Sequence, residues 1–189
     1  MALSWKLVID STNAPAQADF WAAALEYEVE DPSALIQQLL AAGRIGAEAV
    51  VEHRGRQIFR GYAAIRHPED AYDETSGIGR GRRLLFQEVP ERKSGKNRLH
   101  IDVHSEPGGL DMLAARLEEL GAIRVREVDK RPAGHWWIMQ DPEATSSARL
   151  SRERGLWWYV APSRHATRPV FRQGAAATRV CQRHRTRPL

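Results

Sequence analysis

A strand-then-helix unit occurs twice in this chain, and that repetition restricts the fold more than any other feature. Residues 5–10 form a short apolar run, Asn13 and Pro15 supply a helix N-cap and a first-turn proline, and "AQADFWAAALEY" continues as a helix carrying Phe20, Trp21, Ala24 and Leu25 at helical spacing. In the second half "NRLHIDV" reads as a strand and "GGLDMLAARLEELG" as a helix, with Leu110, Leu113, Leu117 and Leu120 on one face and Gly121 as its stop. Sliding the chain against itself by 92 residues superposes Leu7, Ile9, Asp10, Pro15 and Asp19 on identical residues at Leu99, Ile101, Asp102, Pro107 and Asp111, with four further matches inside the helices. Anchoring on the helix ends instead moves the strands by about two residues, which leaves every side chain on the same face.

Further strands are expected at "YEVED", "YAAIRH" and "RRLLFQEVP" in the first half and at "AIRVREVD" and "HWWIMQD" in the second, with a last one just after Asp141. The order is β-α-β-β-β, twice: an α+β chain with module one at 4–90, module two at 97–143, and an insertion at 33–61 within the first. In the insertion "SALIQQLLAAG" reads as a helix and "AEAVVEHRGRQIFRG" as a second helix or a covering loop. "SGIGRGRR" precedes a strand rather than following one, so it is read as a turn and not a dinucleotide loop.

The net charge of +4 divides unevenly at Glu143. Residues 144–189 hold ten arginines and one acid, or +9, whereas residues 1–143 hold 18 basic and 23 acidic residues, or −5. An acidic body is a poor partner for phosphate backbones, so no specific nucleic-acid function is expected. The single Cys181 allows neither an internal disulfide nor a cysteine zinc site, and no apolar run reaches bilayer length. The chain is expected to be cytoplasmic, with no membrane partner.

The segments "LVIDSTNAPAQADFWAAALEYEV", "RRLLFQEVPERKSGKNRLHIDV", "ARLEELGAIRV" and "HWWIMQDPE" resemble the vicinal oxygen chelate superfamily, in particular its glyoxalase-like proteins. The resemblance implies two βαβββ modules whose sheets curl together around a cleft, holding a small molecule with or without a divalent metal. It also implies a homodimer. Metal ligands in such proteins come from the first and last strands of each module. Those positions fall here on Lys6 or Val8, on Gln87, on His100, and on a glutamate expected shortly after Asp141-Pro142-Glu143. Lysine and valine are not ligands at neutral pH, an amide is a modest one, and only His100 is good, so any divalent ion would be held loosely.

The expected glutamate belongs to a family run Gly-Asn-Glu-Phe-Cys, which here reads "ATSSA". Glu-Gly-Asn-Glu-Phe-Cys can be written GAG GGC AAC GAG TTC TGC. Deleting one G leaves GAG GCA ACG AGT TCT GC, which translates as Glu-Ala-Thr-Ser-Ser-Ala, the residues present here from Glu143 to Ala148. The reading is that residues 144–189 are an out-of-frame, irregular basic tail. It predicts loss of the strand that closes module two, with "GLWWYVA" at 155–161 as the substitute.

Other site candidates follow from strand parity. Asp10 and Asp102 share the cleft-facing side and suit acid and base roles, a cationic ligand, or a structural role in both modules. His100, placed mid-strand, shares a face with Asp102, and His104 lies one step further, as a ligand contact or a loop-edge histidine. Trp21, Trp136 and Trp137 are candidates for lining a ligand pocket, although adjacent Trp136 and Trp137 must point to opposite faces of a strand. The leading functional expectation is a glyoxalase-like small-molecule protein with impaired metal-assisted chemistry. The alternative is a metal-free, ligand-sequestering protein of the bleomycin-resistance type.

Overall fold

A computed structural model describes residues 5–95, 99–131, 134–144 and the backbone of 147–151. These residues lie in one compact unit spanning Met1–Arg154. The elements run β1 (Leu7–Ser11), α1 (Ala14–Leu25), β2 (Glu28–Val29), α2 (Ser33–Ala41), a 3-10 turn (Ala47–Ala49), β3 (Val50–His53), β4 (Arg56–Phe59), β5 (Tyr62–Arg66), β6 (Arg83–Glu88), β7 (Ile101–His104), α3 (Leu110–Glu119), β8 (Ile123–Asp129), β9 (His135–Gln140) and β10 (Ser147–Ser151). None of the described helices is long and apolar enough to cross a membrane.

Both modules have the strand order that βαβββ requires: β1-β6-β5-β2 in one four-stranded sheet and β7-β10-β9-β8 in the other. In each, the first strand pairs in parallel with the fourth, and the remaining neighbours are antiparallel. Parallel neighbours need a crossover, which α1 and α3 supply. Asn13 caps α1 by accepting the Ala16 N–H at 3.2 Å, and Gly121 ends α3 at φ +104°, so both predicted helix signals act as expected.

One core joins the two modules. Trp21 of α1, Ile65 of β5 and Phe86 of β6 pack in the same cluster as Leu117 of α3 and Met139 of β9, each no more than 1% exposed. Each such side chain contributes about 1.5–3 kcal/mol by leaving water. Because β1 alternates, Ile9 turns toward this cluster while Val8 and Asp10 are exposed on the other face.

The insertion differs from expectation. Its first part is the predicted helix α2, but 50–59 is a β-hairpin, not a helix or loop. The reason is local: Arg54 and Gly55 adopt φ +49° and +75°, the pair of left-handed conformations that a two-residue hairpin turn needs. Ile58 of β4 buries itself and Ile36 of α2 is fully enclosed, so the insertion carries its own small apolar contact.

The fourth strand of module two is also corrected. β9 pairs with β8 on one side and with β10 on the other, so the vacancy expected for "GLWWYVA" is filled by Ser147–Ser151; residues 155–161 lie outside the described ones. Strand pairing is a backbone interaction, and the register sets position 148 opposite Ile101 and position 150 opposite Val103. A segment that offers alanine and leucine at alternate positions can satisfy that register whatever its origin.

Candidate functional site

β1 and β7 are the edge strands of their sheets, and a cleft of about 980 Å³ lies along them. Consecutive residues of β1 line it, together with Leu99, His100 and Ile101, the connecting segment around Arg92 and Lys93, and the turn at Pro142 and Glu143. Because neighbouring residues of both parities contribute, the cleft follows the strand edges rather than a single sheet face.

Asp10 stands exposed in this cleft, and the parallel register sets Gln87 beside it on the adjacent strand. His100 lies just before β7 rather than mid-strand as expected, because regular pairing begins only at Ile101. Its side chain is half-exposed, and Nε2 sits 3.3 Å from Asp102 Oδ1. That contact has ion-pair distance without hydrogen-bond geometry, since the buried Asp102 Oδ1 accepts no hydrogen bond. His104 is exposed at the end of β7, two residues beyond Asp102 and on the same side of the strand.

The tryptophans are placed differently from expectation. Trp21 is 1% exposed in the core and donates its indole N–H to the buried Asp141 at 3.2 Å, so it packs rather than lining the cleft. Trp137 turns to the α3 side, where its N–H donates to Asp111 at 2.9 Å and the Arg124 guanidinium lies 4.5 Å over its ring. Trp136, on the opposite face of β9, is half-buried and is not a wall of the cleft.

Sequence reasoning missed the Thr12–Glu143 clasp. The Glu143 carboxylate accepts from both the Thr12 N–H and hydroxyl at 2.9 Å, tying the turn after β9 to the loop after β1. No periodicity announces a pair separated by 131 positions; the only local hint is that Thr12 precedes a helix cap.

Of the positions that the resemblance gives to metal ligands, Val8, Gln87 and His100 lie among the described residues. Val8 places hydrocarbon in the cleft, with Leu85 beside it in register. Gln87 offers an amide, and His100, with Nε2 3.3 Å from Asp102 Oδ1, offers a single imidazole. Among the described residues no three His, Cys, Asp or Glu side chains converge as a metal site. Ser146, where the resemblance puts a glutamate, lies outside the described residues.

A family model described as glyoxalase-like domain matches residues 6–146. The chain belongs to the glyoxalase-like domain family. One solved structure with a TM-score of 0.50 agrees at the level of fold, and two others are similar below that score. The fosfomycin resistance protein FosX from Mesorhizobium loti superposes with a TM-score of 0.50 at 9% identity, covering 81% of this chain and 93% of its own. A glyoxalase/bleomycin resistance protein/dioxygenase family enzyme from Burkholderia phytofirmans PsJN gives 0.46 at 12% identity, over 77% and 94%. A glyoxylase/bleomycin resistance protein/dioxygenase domain from Frankia sp. EAN1pec gives 0.47 at 14% identity, over 82% and 95%. No curated protein matches the sequence significantly. The two βαβββ modules around a cleft, expected from the sequence, are the architecture of this glyoxalase-like chain.

Proposed function

We propose that this glyoxalase-like protein holds a small molecule in the β1–β7 cleft without a tightly bound metal, its ancestral metal-assisted lyase, isomerase or dioxygenase-type chemistry being impaired. The observation that carries this reading is the donor set: Val8, Gln87 and the one imidazole of His100 where a metal would need several anionic or imidazole ligands. What the cleft offers a ligand is polar: the Asp10 carboxylate and the His100 imidazole, with Arg92 and Lys93 on the connecting segment. These suit hydrogen bonding to an oxygen-rich or charged molecule. They also suit simple sequestration, the bleomycin-resistance type of role, equally well. A homodimer belongs to the same reading.

The backbone supports an out-of-frame origin for residues 144–189. Ala144 adopts φ +54°, left-handed, with its N–H bonded to Asp141 O at 2.9 Å. That conformation favours glycine, and glycine is what the restored frame places there. The same restoration returns a glutamate to position 146.

Calorimetric titration with Mn²⁺ and Zn²⁺ tests the proposal on two chains, the present one and one with the frame restored. No stoichiometric binding is expected in the first, and binding that His100→Ala removes is expected in the second. Stoichiometric binding to the present chain, lost in His100→Ala, overturns the metal-free reading.

A further inference from the structure

The outer edge of β1 can be followed amide by amide. Ser11 O accepts the Val89 N–H at 2.9 Å, and in a parallel ladder a residue turns its N–H and its C=O to the same neighbour. Leu7, Ile9 and Ser11 therefore direct their backbone groups at β6. The alternation turns those of Val8, Asp10 and Thr12 the other way, toward the cleft.

Thr12 shows what this edge takes when something covers it. Its N–H donates to the Glu143 carboxylate at 2.9 Å, so an acceptor oxygen stands where the carbonyl of a neighbouring strand would be. Among the described residues nothing bonds the N–H or C=O of Val8 or Asp10. β7, across the cleft, pairs with β10 and not with β1. Val8 is 40% exposed and Asp10 is exposed, as residues of an uncovered edge are.

We propose that the ligand of the cleft is a short peptide in extended conformation, laid along β1 as an added strand; this rests on the reading that the β1–β7 cleft holds a small molecule. Val8 and Asp10 repeat a donor and an acceptor every two residues, about 6.6 Å along the strand, which is the repeat of an extended peptide backbone. Charged groups of both signs line the same cleft, Asp10 and Glu91 as well as Arg92 and Lys93, and the two ends of a peptide zwitterion need one of each. Val8 and Leu99 offer apolar contact to its side chains. The same edge of a second copy of this chain is the competing occupant.

The test follows backbone amides of the unaltered chain by NMR and hydrogen exchange. Without peptide, Val8 and Asp10 should exchange rapidly at every protein concentration while Ile9, bonded to β6, is protected. The tripeptide Ala-Val-Ala should then shift and protect Val8 and Asp10 saturably, and the same peptide methylated on both amide nitrogens should bind at least about tenfold more weakly. Val8→Pro removes one outward N–H and no bond to β6, so it should fold and lose the response. Protection of Val8 and Asp10 that grows with protein concentration in the absence of peptide would assign the edge to a second copy and overturn the proposal. Equal binding of the two peptides, with shifts at Leu99 and His100 but no protection of Val8 and Asp10, would overturn it while leaving the cleft reading intact. Shifts at no cleft residue with either peptide would overturn it as well, and the metal titration then judges the cleft reading separately. The comparison of the two peptides needs no variant, so it holds even where Val8→Pro fails to fold.

Discussion

The indole N–H of Trp21 reaches Asp141 Oδ2 at 3.2 Å, a buried bond between the first helix and the turn that follows β9. Both residues are 1% exposed, so this is where module two is fastened to module one inside the shared core. Asp141→Ala strands a buried donor and should destabilise the protein by about 1–3 kcal/mol, measured as a lower urea midpoint at unchanged slope. Asp141→Asn, which keeps an acceptor, should cost clearly less. Equal losses in the two variants would mean that the bond contributes little.

Ala144 tests the history of the chain at a single backbone position. Its φ of +54° carries a steric cost that glycine avoids. Ala144→Gly is therefore expected to stabilise by about 1 kcal/mol, where an ordinary alanine-to-glycine exchange destabilises. A lower unfolding midpoint would remove the backbone argument for a lost glycine. Reading the encoding DNA across the codons for Gln140 to Leu150 checks the same idea directly.

The Glu30–Arg83 pair is the most enclosed ion pair among the described residues, with side chains 5% and 11% exposed and paired bonds of 2.6 and 2.7 Å. Glu30 also accepts from the Gly79 N–H at 2.8 Å, which anchors the glycine-rich turn before β6. Glu30→Ala leaves a largely buried guanidinium without its carboxylate and should cost about 3–5 kcal/mol in chemical denaturation. Arg83→Met with Glu30→Leu together should recover much of that loss.

Asp70 gives a pH signature. The Arg82 side chain, 2.7 Å away, and the Arg82 N–H both bond its carboxylate and hold its pKa at about 2. The unfolded carboxyl titrates near 4. The folded value being the lower, the contribution is complete above about pH 4 and is lost as pH falls through about 2. The Arg82 amide resonance should therefore titrate near pH 2, and in Asp70→Asn that step should vanish. A midpoint near 4 would show the contact to be absent in solution.

How much of this was legible in the sequence differs from residue to residue. The repeated strand–cap–helix pattern gave both modules, because helix capping at Asn13, termination at Gly121 and alternation along β1 are local effects. Asp10 and Asp102 could be assigned a face from parity alone. The hairpin at 50–59 was not legible, since Arg54-Gly55 announces a turn only if flanking strands exist to use it. Trp21 looked like pocket material because an aromatic side chain fits a core and a binding wall alike; only the position of Asp141 decides between them.

The sequence by itself therefore determined the module order, the helix ends and the charge boundary at Glu143. Each depends on residue chemistry over a few positions. Tertiary structure alone decided that Ser147–Ser151 closes the second sheet, that Glu143 clasps Thr12, and that the buried Gln17 Oε1 accepts no hydrogen bond among the described residues. Those outcomes join segments distant in the chain, where the energy comes from which surfaces meet and which polar atoms the meeting leaves without water.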